Sequence, residues 1–233
     1  MTLKTTQFRY PTGARPLLVE ETARRRRIER RFVSLLEEAG FAEVVLPIID
    51  FAEAYTGVLG SDAARQSYRF TDRDGELVAI RSDFTPMLAR ALAPSLDPSQ
   101  LPLRVFYRGD VIRCEATRLG RNRELFQIGA ELIGPLPSND ADTELLRLAA
   151  SFVDDPLVVY SAAEEKKDLD ARFVFHSDED AHGGYYTGLR FWVYGADRRS
   201  PLAQGGRYDS LYGRFGTDAP AVGFTFTIDL LED

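Results

Sequence analysis

Apolar residues recur at helical spacing between Glu20 and Ala39, where Ile28, Phe32, Leu35, Leu36 and Ala39 fall on one stripe and Gly40 supplies a stop. The opposite face is basic, from Arg24 to Arg27 with Arg30 and Arg31, but Glu20, Glu21, Glu29, Glu37 and Glu38 intersperse it, which predicts a solvated, ion-paired surface. The following run, FAEVVLPIIDF, is too apolar for an exposed strand and contains Pro47, which removes a ladder donor and predicts an edge or a bend. From Ser67 to Ile80 the pattern predicts a hairpin turning at Asp72-Arg73-Asp74-Gly75. Thr85-Pro86 then reads as a helix start, because the hydroxyl can cap exposed amides and proline is pre-set for the first turn. Asp83 and Thr85 lie at the mouth of this strand-to-helix junction, and local capping accounts for both without a ligand.

Two strand-like runs between Val111 and Ile133 enclose an arginine-rich loop. Arg113 and Glu115, two apart, project from one face of an extended segment, while Arg118, Arg121 and Arg123 crowd the connection. On the return run Gln127 and Glu131 share a face, with Ile128, Ala130 and Leu132 on the other. Such a hairpin is either an exposed charged surface or an anion-binding element, since planar guanidinium groups hold phosphate bidentately. Asp140 to Phe152 reads as an amphipathic helix with Leu145, Leu148, Ala149 and Phe152 as its stripe. The acid-rich stretch from Asp154 to Asp180 is too short and too polar for a separate domain. Gln204-Gly205-Gly206-Arg207-Tyr208-Asp209 reads as a tight turn at a strand end, followed by a short helix from Tyr208 to Phe215.

With 233 residues and 44% hydrophobic content the chain can bury one large core. No apolar run approaches membrane-spanning length and MTLKTTQFRYPTGARP lacks a signal-peptide core, so the expectation is a cytoplasmic protein without a membrane partner. A single cysteine, Cys114, excludes an internal disulfide and a cysteine-rich zinc site, and two histidines give no metal cluster. A net charge of −7 argues against nucleic-acid binding by bulk electrostatics.

Arg113-Cys114-Glu115, followed by Gly120-Arg121-Asn122-Arg123-Glu124, Gln127 and Glu131, closely resembles motif 2 of class II aminoacyl-tRNA synthetases in its histidyl form. The long first helix leading into the Pro47 strand resembles motif 1, the dimerisation element, and Ala221 to Leu230 resembles motif 3. By that resemblance Arg113 would hold the α-phosphate of ATP, Glu115 would touch adenine and Arg121 would reach the outer phosphates. His182-Gly183-Gly184-Tyr185-Tyr186-Thr187-Gly188 resembles the family's histidine-recognition signature, but Ala181 stands where an arginine assists adenylate formation, and Leu230 stands where the motif 3 arginine braces the γ-phosphate. His182 reads as a surface or loop residue, because a partly protonated imidazole replaces a permanent guanidinium poorly. At Arg81-Ser82-Asp83-Phe84-Thr85-Pro86 the histidyl synthetases tend to carry arginine-proline-glutamate-glycine-threonine. The version with aspartate, phenylalanine, threonine and proline looks like the synthetase paralogues that serve as regulatory subunits of ATP phosphoribosyltransferase.

The resemblance spans nearly the whole chain and implies an α+β fold, a single class II synthetase-like domain over residues 1–233 with a mostly antiparallel sheet flanked by helices. It implies no anticodon-binding domain and a reduced or absent insertion domain. The implied role is non-catalytic: a regulatory subunit activating a short-form ATP phosphoribosyltransferase, the first step of histidine biosynthesis, and contributing to feedback control by histidine. Asp83, Thr85, Gln127, Glu131, Tyr185 and Tyr186 are then candidates for a relic histidine pocket, and Arg113, Glu115 and Arg121 for a relic nucleotide or anion site. The expected partners are the catalytic subunit and a second copy, in a hetero-oligomer that takes no tRNA, needs no cofactor or metal, and can take histidine. The alternatives are a truncated synthetase paralogue that still activates an amino acid, and a pseudo-enzyme interaction module.

Overall fold

The computed structural model describes residues 10–54, 58, 67–114, 122–134, 138–177 and 185–231. Helix α1 runs from Val19 to Glu38 and buries Glu29, Phe32 and Leu36. It ends as its sequence requires: Gly40 adopts φ +81°, its N–H donates to the Glu37 carbonyl, and the Phe41 N–H donates to the Leu36 carbonyl. This pair of bonds satisfies carbonyls that the helix end leaves open and needs a left-handed residue at Gly40. The basic face of α1 is only partly solvated. Glu29 is buried and receives both Arg26 and, from a neighbouring strand, Arg108 at 2.7 Å, so it pins helix to sheet instead of facing water.

The chain then divides at Pro47. Strand β1, Ala42–Glu43, lies parallel to strand β5, Leu103–Ile112, at the edge of the large sheet. Strand β2, Ile49–Phe51, joins a small antiparallel sheet with the hairpin β3, Arg69–Thr71, and β4, Leu77–Ile80. The turn is the one expected, with Gly75 at φ +88° and the Asp72 carboxylate accepting from the N–H groups of Asp74 and Glu76. Helix α2, Thr85–Leu92, follows directly.

The large sheet has the order β1-β5-β6-β11-β10-β9-β7-β8, with β6 Glu124–Ile133, β7 Leu157–Ser161, β8 Phe173–Phe175, β9 Arg190–Tyr194, β10 Pro201–Arg207 and β11 Ala221–Thr227. Its pairings are antiparallel except β1 with β5 and β7 with β8. The Asp154–Asp180 stretch, read as too short and too polar for a separate domain, contributes two strands to this sheet.

Strand alternation sorts the core into two layers. Phe106, Ile128, Ala130, Leu132, Val222, Phe224 and Phe226 pack under α1 and under α3, Ser138–Ser151, with Phe32, Leu145 and Phe152. On the opposite face Val105, Tyr107, Val111 and Ile133 pack with Phe84, Met87 and Leu88 of the α2 region. Gln127, Gly129 and Glu131 of β6 belong to that second face, as do Gly223 and Thr225 of β11. No described helix is long and apolar enough to cross a membrane.

Candidate functional site

The two faces differ in a way that defines the site. Beneath α1 and α3 the middle strands β6 and β11 present apolar side chains; on the α2 side β6 presents Gln127, Gly129 and Glu131, both polar residues being buried. Gly129 makes room for an aromatic ring. It lies opposite Tyr107 across the β5–β6 ladder, and a Cβ there would come within 2.4 Å of that ring. The Tyr107 ring also stacks on Phe84, centroids 4.3 Å apart, and Arg81 lies 3.9 Å over the Phe84 ring. Arg81 donates to the carbonyls of Leu46, Pro47 and Asp110, so one guanidinium ties two other chain segments to the turn that carries Asp83.

Thr85 is the first residue of α2, but its hydroxyl caps nothing. It donates to Glu131 Oε1 at 3.0 Å, and the Asp83 carboxylate performs the local capping by accepting from the Thr85 N–H at 2.9 Å. The expectation of a Thr85 cap is thus corrected: Thr85 is the first helical residue and not the cap, and its hydroxyl turns to an acceptor buried in β6. The Tyr107 hydroxyl donates to the same Glu131 oxygen at 3.2 Å and meets Thr225 Oγ1 at 2.6 Å.

Asp83, Thr85, Arg113, Gln127, Glu131, Tyr185, Tyr186, Gln204, Tyr208 and Thr225 line one small pocket of about 20 Å³. All six residues expected to form an amino-acid pocket meet there, and Arg113 joins them. Glu131 Oε2 is buried and has no hydrogen-bond partner among the described residues. Burial pushes the Glu131 carboxyl up to about 8, against hydrogen bonds from Thr85 and Tyr107, and the nearby Asp83 raises it further. Burial likewise raises Asp83, opposed by the Arg113 guanidinium and the Thr85 N–H. Tyr185 and Tyr186 are held well above the usual tyrosine range by burial and by Asp83, so both remain phenols and can donate. The chemistry is specific: two buried carboxyl groups, both held toward the protonated form by burial, share the site with one guanidinium under a roof of aromatic rings.

Arg113 also lines an adjoining groove with Asn122, Arg123, Leu125, Gln127, Thr225, Asp229 and Leu230. The segment that resembles motif 3 runs from β11 into a 3-10 turn, Ile228–Leu230, and Leu230 is 48% exposed on that groove. An aliphatic side chain there offers nothing to a phosphate. Glu115, Arg118, Arg121, Ala181 and His182 fall outside the described residues, so the remainder of the proposed anion site is not placed. Among the described residues no cluster of His, Cys, Asp and Glu could hold a metal ion.

Three pocket features escaped sequence reasoning. Tyr107 was not marked, although a glycine at the alternate position between Gln127 and Glu131 signals a ring filling that gap. Gly223 lies opposite Glu131 in the β6–β11 ladder, where a Cβ would stand 1.5 Å from Glu131 Oε2; only glycine leaves the carboxylate its place. The paired glycines Gly205 and Gly206 lie in the body of β10, not in a turn, and the helix expected from Tyr208 to Phe215 is only a 3-10 turn at Tyr212–Arg214. They are needed because a Cβ at Gly206 would meet the Tyr186 ring at 2.7 Å.

This sheet order, with a synthetase-like hairpin and a buried polar pocket on its α2 face, defines a class II aminoacyl-tRNA synthetase-like protein. The histidyl-tRNA synthetase family model matches residues 13–163 and 158–231, and the chain belongs to that family. A crystal structure of an ATP phosphoribosyltransferase regulatory subunit/histidyl-tRNA synthetase from Bacillus halodurans superposes with TM-score 0.83 over 97% of this chain and 83% of that one, at 22% identity. An ATP phosphoribosyltransferase regulatory subunit from Geobacter sulfurreducens is 27% identical over 311 residues, covering 94% of this chain and 71% of the relative. A histidine–tRNA ligase from Methanocaldococcus jannaschii is 27% identical over 313 residues, covering 95% and 74%. Both alignments are longer than the 233 residues of this chain, so both relatives carry segments with no counterpart here.

Proposed function

We propose that this chain is a non-catalytic regulatory subunit of ATP phosphoribosyltransferase, a glycosyltransferase, and that its synthetase-derived pocket reports histidine to the complex. The observation that carries this reading is the unpartnered Glu131 Oε2, buried inside a pocket that also holds Asp83 and Arg113. A buried carboxyl oxygen without a partner is costly, and a ligand that hydrogen-bonds to it recovers that cost. Histidine matches these groups: its α-ammonium pairs with Asp83, its carboxylate with Arg113, and its imidazole, which can donate or accept, with the Glu131 carboxyl, while Tyr185 and Tyr186 close the site. Regulatory subunits among the relatives support the same assignment. On this reading residues 1–233 act as one synthetase-like unit with the insertion reduced, dimerise through the α1 and Pro47 region, and work in the cytoplasm with a short-form catalytic subunit, without tRNA.

The loss of a guanidinium at Leu230 speaks against amino-acid activation. Retention of Arg113 at the junction of pocket and groove favours the second reading, a synthetase paralogue that still forms an adenylate. Sedimentation of the chain with the catalytic subunit from the same cell tests the proposal. A shared boundary is expected; two independent boundaries at concentrations well above the cellular range overturn it.

A further inference from the structure

A chain of charges runs behind the pocket, on the opposite face of the sheet. Asp142 of α3 accepts from Arg207 Nε at 2.9 Å and Nη2 at 2.7 Å, and from Lys166 Nζ at 3.1 Å. Asp142, Arg207 and Lys166 side chains are each 8% exposed. Arg207 Nη1 donates to Asp209 Oδ1 at 2.9 Å. None of these four side chains lines the ligand pocket.

Their backbone, however, clasps the segment that carries the tyrosine pair. The Thr187 N–H donates to the Arg207 carbonyl at 2.8 Å, the Arg207 N–H to the Leu189 carbonyl at 2.8 Å, and the Asp209 N–H to Thr187 Oγ1 at 2.9 Å. Tyr186 rests on the backbone at Gly206, and Tyr185 meets Tyr208 edge-on with centroids 5.6 Å apart. Strand alternation places Gly206 and Tyr208 on the pocket side and Arg207 between them on the α3 side. A rotation of the 206–208 backbone therefore moves the tyrosine wall relative to Glu131.

A well-packed apolar pair could fill the space of the Asp142–Arg207 bridge with less desolvation cost. What the bridge adds is direction, because Nε and Nη2 converge on Asp142 Oδ1 while Nη1 bonds Asp209, and the three bonds together fix the plane of the guanidinium. We infer that Arg207 is a positioning residue: its two contacts with Asp142 Oδ1 and its bond to Asp209 set the Tyr185–Tyr186 wall over Glu131 and thereby the affinity of the pocket. The affinity arm of this inference rests on the amino-acid reading given above; the geometric arm does not.

Trp192, the one tryptophan of the chain, provides a ligand-free readout. The Arg190 guanidinium lies 4.9 Å over the Trp192 ring and 5.3 Å over the Tyr186 ring, so a shifted Tyr186 changes the cover on Trp192. The experiment compares wild type with Asp142→Asn and Asp209→Asn by acrylamide quenching of Trp192 without ligand, calorimetric titration with L-histidine, and thermal melting. Asp209, 44% exposed, gives the milder variant should Asp142→Asn fail to fold. Stronger quenching is expected, with histidine affinity about tenfold weaker, equivalent to about 1.4 kcal/mol. Unchanged quenching in folded Asp209→Asn, whatever its melting temperature, overturns the inference and leaves a purely structural ion pair. Should wild type bind no histidine while quenching still changes, the positioning role stands and the amino-acid reading falls.

Discussion

Thr85 Oγ1 donates to Glu131 Oε1 at 3.0 Å across 46 positions of sequence, joining the first residue of α2 to the middle strand of the polar face. Both residues are buried. Thr85→Val keeps the shape and removes the donor, leaving Glu131 supported by Tyr107 alone. The expected cost is about 1–3 kcal/mol, the scale of a buried polar group deprived of a partner. Denaturant unfolding at neutral pH measures it, and a change below about 0.5 kcal/mol would mean that the bond adds nothing beyond a surface contact.

Glu131 also gives stability a pH dependence of definite sign. Its carboxyl is raised from 4.5 to about 8 in the folded protein. Between those values the folded chain keeps a proton that the unfolded chain releases, so this group's contribution to stability falls as pH rises, by up to about 1.4 kcal/mol per pH unit. Glu131→Gln cannot ionise and should flatten the decline. Unfolding curves from pH 5 to 8 for both proteins test this; parallel pH profiles would contradict it.

Gly223→Ala places a methyl group where Glu131 Oε2 now lies. The ladder fixes the backbone on both sides, so the carboxylate must swing into the pocket or the strands must part. Loss of histidine binding is expected, with destabilisation of about 1–3 kcal/mol from overpacking. Calorimetry and melting report the two effects separately, and wild-type affinity in this variant would show that Glu131 does not define the pocket floor.

Pyrophosphate exchange with histidine separates the regulatory reading from amino-acid activation. The chain should show no exchange above background if, as the motif resemblance implies, Ala181 and Leu230 stand where two charge-stabilising arginines belong, since the loss of one such donor costs on the order of 10²–10³ in rate. Robust exchange by the wild-type chain would favour the synthetase paralogue. Recovery in the double variant Ala181→Arg, Leu230→Arg would trace the inactivity to those positions.

Local pattern made the elements legible where one physical signal dominated. The α1 stripe with its Gly40 stop, the Asp72–Gly75 turn and the β5–β6 hairpin all depend on nearest neighbours or strict periodicity. Site residues were legible only through resemblance, because their meeting depends on register. Nothing local sets Gly223 against Glu131 or Gly129 against Tyr107. Thr85 shows the same limit: propensity favours a cap, and a carboxylate 46 positions away takes the hydroxyl instead. Glu29 looked like one more member of a charged helix face, yet Arg108 on β5 draws it into the interior.

The most direct test of a regulatory role is the initial rate of the catalytic subunit, titrated with this chain in the presence and absence of histidine. A subunit that supplies no catalytic group acts by binding one conformation of its partner more tightly, so its differential affinity sets the size of the effect. The rate should rise to a plateau at stoichiometric complex, histidine should lower that plateau, and Glu131→Ala should weaken the histidine response while leaving the complex intact. A rate that stays flat across the titration with the cognate catalytic subunit would contradict the assignment.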